Sequence, residues 1–219
     1  MPRCRALLCS ILFSVSLGAV VGAAAQPTRA EVSDFFRAVQ MDDARTVGKL
    51  LGSRVNPNET SPVGGEPPLV LALREGAMDV FKVLLDHPGT KLDAAALNGN
   101  TALMMAAFKS NRPAVEALLA RGAAVNRPGW TALHYAASAG DNDIAGLLIK
   151  RGANIDAVSP KASGSFTPLM MAAREGKEET ALYLLRQGAD PKLKNGEGLT
   201  AAQIAARAQH TSLAKALAP

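Results

Sequence analysis

The sequence predicts an all-α fold, a solenoid of about six stacked helix-turn-helix units whose first and last members act as caps. Three observations lead to this prediction: a motif recurring about every 33 residues, alanine and leucine at fixed places in each copy, and few aromatic residues. A period of roughly 20–50 residues is the signature of a repeat architecture. Aromatic residues form 4% of the chain and hydrophobic residues 48%, which favours closely packed helices over a β-sandwich.

The recurring motif divides the chain into units. Clear copies read TALMMAA, TALHYAA and TPLMMAA, and weaker copies read PPLVLAL, TAAQIAA and SDFFRAV. The copies start near residues 33, 67, 101, 131, 167 and 200. Counted from each start, position +5 is alanine and position +17 is leucine in every unit. Because position +17 lies outside the motif, its agreement supports this register.

Each unit is predicted to contain a first helix, a turn, a second helix and an extended loop, here called the finger. The turn contains Gly76, Gly140 or Gly176 in three of the units. Pro113 suits the first turn of a second helix, where the helix does not need the missing N–H group. A single unit cannot bury its apolar face, so we expect stability to come from the stacking of neighbours.

Residues 1–25 have the pattern of a secretory signal peptide. Arg3 and Arg5 precede an uncharged apolar stretch, and Ala23–Ala25 form a small-residue cleavage motif. The alternative is an uncleaved membrane anchor, although the stretch is short for a membrane span and contains three serines. Cleavage after the alanines would leave residues 26–219 as the mature repeat domain, with no stable membrane insertion.

Removal of this leader changes the composition of the chain. The leader holds both cysteines, Cys4 and Cys9, so the mature domain is expected to have no disulfide and no thiolate site. The net charge falls from +5 to +3, from 22 basic and 19 acidic residues with no basic cluster. Without a basic stripe to follow a phosphate backbone, nucleic acid is not an expected partner. The alanine- and arginine-rich leader favours a Gram-negative periplasm, or secretion, as the location.

Several motifs together resemble the ankyrin-repeat family. They are the period near 33, the TALHYAA type of first helix, the paired leucines of the second helices, and the endings RGANID, RGAAVN and QGADPK. The resemblance covers residues 33–219 and implies an ankyrin solenoid with β-hairpin-like finger loops. The chain departs from the family pattern at both ends, in a short loop before Trp130, in a long loop at 156–166 and in an irregular finger at 56–68.

His134, within TALHYAA, is the first candidate for a catalytic role. The resemblance implies instead that its ring bonds backbone and the preceding threonine, fastening one unit to the next. A general base needs a nucleophile or substrate group in reach and usually an orienting carboxylate. The sequence has no Ser-His-Asp arrangement with a sharp nucleophile turn, so we expect a structural histidine and no enzyme activity.

The other polar candidates also have structural interpretations. His87, His134 and His210 lie at different positions of units two, four and six, so we expect neither a shared metal site nor a cofactor. The carboxylates of DDAR at 42–45 and DND at 141–143 come just before second helices, where an aspartate caps free N–H groups.

The resemblance also implies where a protein partner would bind: at the finger residues before each motif threonine and at the two residues before each turn. The finger candidates are Asn98, Asn100, Arg127, Trp130, Lys161 and Phe166. The helix candidates are Arg74, Glu75, Phe108, Lys109, Arg174 and Glu175. Phe108 and Trp130 matter most, because large exposed aromatics are the usual anchors of an interface. We expect both rings to protrude into solvent, with local packing as the alternative for each.

The predicted function is therefore a non-catalytic, exported module that is monomeric on its own and binds an unidentified protein through its concave face and fingers. An adaptor or stabiliser of another protein is one form of this function. The alternative is an inhibitor or immunity protein that covers the active site of an enzyme or toxin. A strongly acidic or basic concave face would favour inhibition, and the mixed Arg–Glu pairs do not decide between the two.

Overall fold

The computed structural model describes residues 26–218, and the predicted leader at 1–25 lies outside them. Twelve α-helices in this range form six consecutive pairs, and none of its residues forms a β-strand. The first helices are α1 (Arg29–Gln40), α3 (Pro68–Glu75), α5 (Ala102–Phe108), α7 (Ala132–Ala139), α9 (Pro168–Arg174) and α11 (Ala201–Arg207). The second helices are α2 (Ala44–Leu51), α4 (Met78–Asp86), α6 (Arg112–Ala120), α8 (Asn142–Lys150), α10 (Glu178–Arg186) and α12 (Thr211–Ala216). The predicted all-α solenoid is confirmed.

The pairs stack side by side in two rows. Each first helix contacts the first helix of the next unit, from α1 against α3 to α9 against α11. The alanine at position +5 is buried in all six units, which lets these short helices approach closely. The leucine at +17 has no exposed surface in units two to five and anchors the second row. Among residues 26–218, no helix has the length and apolar character needed to cross a membrane.

The motif threonine begins the first helix in most units. Thr167 Oγ1, for example, accepts a hydrogen bond from the N–H of Met170 at 3.3 Å. The first unit differs, because α1 begins at Arg29 and Ser33 lies inside the helix. Thr28 and Glu31 cap each other's backbone N–H groups there, at 2.8 and 3.2 Å, and this reciprocal capping adds a turn before the register start.

The turn between the two helices has the same backbone in every unit. Position +9 has a positive φ throughout, at Asp42, Gly76, Ser110, Gly140, Gly176 and Gln209. Glycine adopts this left-handed conformation without a steric penalty, whereas the three other residue types do so at a cost. The stacked fold therefore imposes the turn even where the sequence has no glycine.

The aspartates before the second helices act as caps, as predicted. Asp43 accepts from the Thr46 N–H at 3.0 Å and Asp141 from the Ile144 N–H at 2.9 Å. Asp42 does something different, since its carboxylate accepts from the Val80 N–H at 2.8 Å, in the first turn of α4 in the next unit. One carboxylate of the DDAR segment therefore caps its own unit and the other ties two units together.

Several fingers are hairpin-like turns closed by backbone hydrogen bonds. The Ala96 N–H donates to the Asn100 carbonyl at 2.9 Å, and the Ser159 N–H donates to the Phe166 carbonyl at 2.8 Å. Side chains then link one finger to the next. Asn126 donates to the Gly152 carbonyl at 2.7 Å and accepts from the Asn154 N–H at 2.8 Å. These links fix neighbouring loops relative to each other.

Candidate functional site

His134 is completely buried at the junction of units four and five. Its Nδ1 accepts from the Thr131 N–H at 3.2 Å and lies 2.9 Å from the Thr131 hydroxyl. Because Nδ1 is an acceptor, the ring proton lies on Nε2, which donates to the Phe166 carbonyl at 3.0 Å. Burial lowers the pKa of His134 to about 4, so the ring is neutral at neutral pH. The ring bonds the backbone and the threonine, as the resemblance implied.

A hollow of about 380 Å³ opens above this histidine, on the row formed by α5, α7 and α9. We call it the aromatic hollow, and its lining residues are Phe108, Trp130, His134, Tyr135, Ser138, Met171, Arg174 and Glu175. The hollow exists because the residues at position +7 differ in size: Phe108 on α5, Ser138 on α7 and Arg174 on α9. A small serine between two large side chains leaves a gap on the surface.

Aromatic rings form one wall and the floor of this hollow. The Phe108 and Tyr135 rings meet edge to face with centroids 6.0 Å apart. The Trp130 ring lies 5.2 Å from the His134 ring and 6.2 Å from the Tyr135 ring, centroid to centroid. The Tyr135 hydroxyl donates to Asn100 Oδ1 at 2.5 Å, which links the floor to a finger. Burial raises the pKa of Tyr135, so the hydroxyl keeps its proton as a donor. The rings are therefore held in place before any partner arrives.

The two predicted anchors differ in exposure. Phe108 is 50% exposed, so half of its ring is available to a partner. Trp130 is partly buried: its ring packs against His134 and Tyr135, and one side of the ring faces the hollow. The expectation that Trp130 protrudes into solvent is therefore wrong. The short loop before Trp130 brings the ring in against α7, where it becomes a wall of the hollow.

Phe166 was predicted to contact a partner, and the structure contradicts this. The residue is 7% exposed, its N–H donates to the Ser159 hydroxyl at 2.8 Å, and its carbonyl accepts from His134. The Arg174 guanidinium covers its ring at 5.3 Å from the centroid. The long loop at 156–166 folds back through these contacts, so Phe166 becomes core at the finger base.

The polar end of the aromatic hollow is an arginine–glutamate pair on unit five. Arg174 Nε donates to Glu175 Oε1 at 2.9 Å, and both side chains remain about two-fifths exposed, at 44% and 40%. Together with the Phe166 ring beneath it, this bond holds the guanidinium in one place. The hollow thus combines a fixed aromatic surface with a fixed cation.

The remaining predicted residues lie outside the hollow. Arg74 and Glu75 form an ion pair on unit two, and Arg127 donates to the Gly99 carbonyl of the preceding finger at 2.8 Å. Asn100 accepts from Tyr135, as described above. The exposed residues at separate places on the surface are Asn98, Lys109 and Lys161. The structure therefore brings four of the predicted residues together and assigns two others to holding the fingers.

Three lining residues were not predicted from the sequence: Tyr135, Ser138 and Met171. The sequence contains a signal that could have identified Ser138 as a lining residue. It occupies the same position +7 as Phe108 and Arg174 and is much smaller than either. Tyr135 and Met171 both occupy position +4, which is apolar in most units and is therefore expected to be buried. Their contribution to the hollow depends on the missing side-chain volume at Ser138.

Residues 26–218 contain no group of three or more His, Cys, Asp or Glu side chains placed to bind a metal ion. Ion pairs lie on or beside the first-helix row, such as Arg37 with Asp34 on α1 and Arg207 on α11 with Glu197 in the finger before it. This surface therefore has no single strong sign of charge. The fold defines the class: a helical-repeat protein whose first-helix row has charged and aromatic side chains on its surface.

A comparison with protein families identifies the class. The chain matches the family described as "Ankyrin repeats (3 copies)" in overlapping stretches at residues 35–128, 89–159, 122–195 and 169–219. The chain therefore belongs to the ankyrin-repeat family. Ankyrin repeats are in general interaction modules without catalytic activity, which supports a protein–protein interaction module here.

Three curated relatives show the same similarity. Ankyrin repeat and KH domain-containing protein mask-1 of Caenorhabditis elegans is 35% identical over 197 residues, covering 77% of this chain and 7% of that protein. Protein glp-1 of C. elegans is 33% identical over 138 residues, covering 57% and 10%. SH3 and multiple ankyrin repeat domains protein 2 of Homo sapiens is 34% identical over 176 residues, covering 78% and 9%. The chain thus spans a tenth or less of the length of these relatives.

Proposed function

We propose that this protein is an exported interaction module whose aromatic hollow binds a partner protein. The observation that supports this most directly is the half-exposed Phe108 ring beside a fixed cluster of aromatic side chains. Binding energy at protein interfaces is concentrated in a few large aromatic and arginine residues set in pockets. The hollow offers both residue types within one recess of about 380 Å³.

The rigidity of the hollow also favours recognition. Tyr135 is fixed by Asn100, Trp130 packs against His134, and Arg174 is fixed by Glu175. A partner would therefore meet side chains that lose little conformational freedom on binding, which reduces the entropic cost of association. The histidine of the lining is not free to act as a general base, because both of its ring nitrogens are engaged in structural hydrogen bonds.

Replacing Phe108 by alanine tests the proposed site. We expect Phe108→Ala to weaken binding of the partner by roughly tenfold or more, because truncating an interface anchor typically costs about 2 kcal/mol. The measurement is quantitative mass spectrometry of proteins retained by the immobilised wild-type and variant domains from a cell extract. Val63→Ala is the matched control, since Val63 is an 85% exposed apolar residue on the first finger. Equal retention by wild type and Phe108→Ala would contradict the proposal.

Export is the second part of the proposal. Its support is the charged start, apolar stretch and alanine motif of residues 1–25. We expect a mature protein that begins at Gln26 in the periplasmic or secreted fraction, measured as an intact mass. A full-length chain retained in the membrane fraction would indicate an anchor instead, and a full-length chain in the cytoplasm would contradict export.

A further inference from the structure

We propose that the aromatic hollow recognises a partner segment in which an acidic residue adjoins a bulky apolar residue. The proposal rests on the proposed function and specifies the chemistry of the partner at that site. The acidic group would bind the Arg174 guanidinium, and the apolar side chain would fill the gap at Ser138 against the aromatic rings. The arginines at position +7 in three units differ in how they are neutralised, and this difference singles out Arg174.

Position +7 is arginine in units two, five and six. In unit two, Arg74 uses one terminal nitrogen for Glu66, at 2.9 Å, and the other for Glu75, at 2.8 Å. In unit six, both terminal nitrogens of Arg207 contact the carboxylate of Glu197. Each of these guanidinium groups is neutralised within the chain, so neither has a strong remaining demand for an acidic partner.

Arg174 in unit five is the exception. Glu175 takes only its Nε, and within residues 26–218 neither terminal nitrogen meets a carboxylate. The position that Glu66 holds in unit two, directly before the first motif residue, is held in unit five by Phe166. An aromatic ring that supports the guanidinium from below replaces a carboxylate that would have neutralised it. The donors that Glu66 occupies in unit two are thus available in unit five.

The apolar part of the partner is specified by the other end of the hollow. Phe108, Trp130 and Tyr135 present ring surface there, and Met171 adds a polarisable side chain that packs well against aromatic groups. A large aliphatic or aromatic side chain would remove this surface from water and fill the space left by Ser138. Because Arg174 lines the same recess, the acidic group must lie next to this side chain in the partner.

The charge around the hollow also favours an acidic segment over a basic one. Glu175 is the acidic residue of the lining, and its bond to Arg174 Nε already engages its charge. A carboxylate bound to the terminal nitrogens would therefore gain charge-assisted hydrogen bonds from a cation that is already positioned.

Selection of displayed random peptides on the full mature domain tests this chemistry. We expect the selected sequences to place Asp or Glu within a few positions of Phe, Tyr, Trp, Leu or Met. Binding of one selected peptide is then measured for three variants, Arg174→Gln, Arg74→Gln and Ser138→Phe. Arg174→Gln should weaken binding by roughly tenfold or more, because charged hydrogen bonds are lost. Arg74→Gln should have no effect, since its guanidinium lies outside the hollow and is neutralised internally.

Ser138→Phe separates this inference from the proposed function. A phenylalanine at position 138 fills the gap, so we expect it to abolish peptide binding while the thermal unfolding midpoint stays near that of wild type. Loss of binding in Ser138→Phe with no effect of Arg174→Gln would show that the hollow binds but does not read an acidic group. Peptides without acidic residues would overturn the inference in the same way. Binding unaffected by Ser138→Phe, or a selection that yields no binders, would contradict both the inference and the proposed site.

Discussion

Replacing Leu118 by alanine is expected to lower the free energy of unfolding by about 2–5 kcal/mol, the range for truncating a large core side chain. Leu118 lies on α6 at position +17, has no exposed surface, and belongs to the core that continues through all described units. The neighbouring helices are held in place by their own stacking, so they cannot collapse fully into the space that the substitution opens. The measurement is urea denaturation followed by circular dichroism.

Phe108→Ala is the matched variant for this experiment, since Phe108 precedes α6 in the same unit and is half exposed. Its loss should change the unfolding midpoint little while weakening partner binding. Leu118→Ala should lower the unfolding midpoint strongly. Its binding of the partner should stay near that of wild type at denaturant concentrations where the variant remains folded. Should Phe108→Ala prove as destabilising as Leu118→Ala, Phe108 would belong to the core, and the interface would have to lie on the charged pairs and fingers.

Acidification is expected to destabilise the protein through His134. Its pKa is about 4 in the folded chain, because burial disfavours the charged ring, against about 6.5 in the unfolded chain. Between these two values the unfolded chain binds a proton that the folded chain does not, so stability falls as the pH falls. The difference between the two pKa values corresponds to about 3 kcal/mol, lost progressively from about pH 6.5 to about pH 4.

The control is His134→Gln, in which the side chain has no titration in this range. We expect the variant to be less stable than wild type at pH 7, because the hydrogen bonds to Thr131 and the Phe166 carbonyl are lost or weakened. The difference between the two proteins should then shrink as the pH decreases. Hydrogen bonds lower the pKa of Glu31 and Asp43 as well, and these groups contribute equally to both proteins and cancel in the difference. A difference that stays constant down to pH 4 would refute this role for His134.

Most of the fold could be predicted from the sequence because each unit repeats the same local rules. Thr167 begins a helix and Asp43 caps a second helix for reasons that depend on nearby residues alone. The burial of Leu118 follows from its fixed place in the repeat, because every unit stacks in the same way. The first helix could not be placed correctly in the same way. The repeat count indicated Ser33, whereas the reciprocal capping by Thr28 gives α1 its earlier start.

The candidate site was harder to predict because it depends on side chains from different units. Phe166 and Trp130 both come just before a motif threonine, yet one is core and the other lines the hollow, since their loops differ in length. The hollow itself depends on the relative sizes of three residues on neighbouring helices, with Ser138 as the small one. Asp42 likewise accepts a hydrogen bond from the N–H of Val80, 38 positions further along the chain. Local sequence patterns do not reveal such a contact.

The most direct test of the central claim, that the aromatic hollow is the surface that meets the partner, is site-specific photocrosslinking in living cells. Phe108 is replaced by p-benzoylphenylalanine, which keeps an aromatic group at the hollow, and Glu116 on α6 carries the same probe as the control. We expect irradiation to join the partner to the probe at position 108 and not to the probe at position 116. A crosslink that forms only from position 116, or equally from both positions, would contradict the claim.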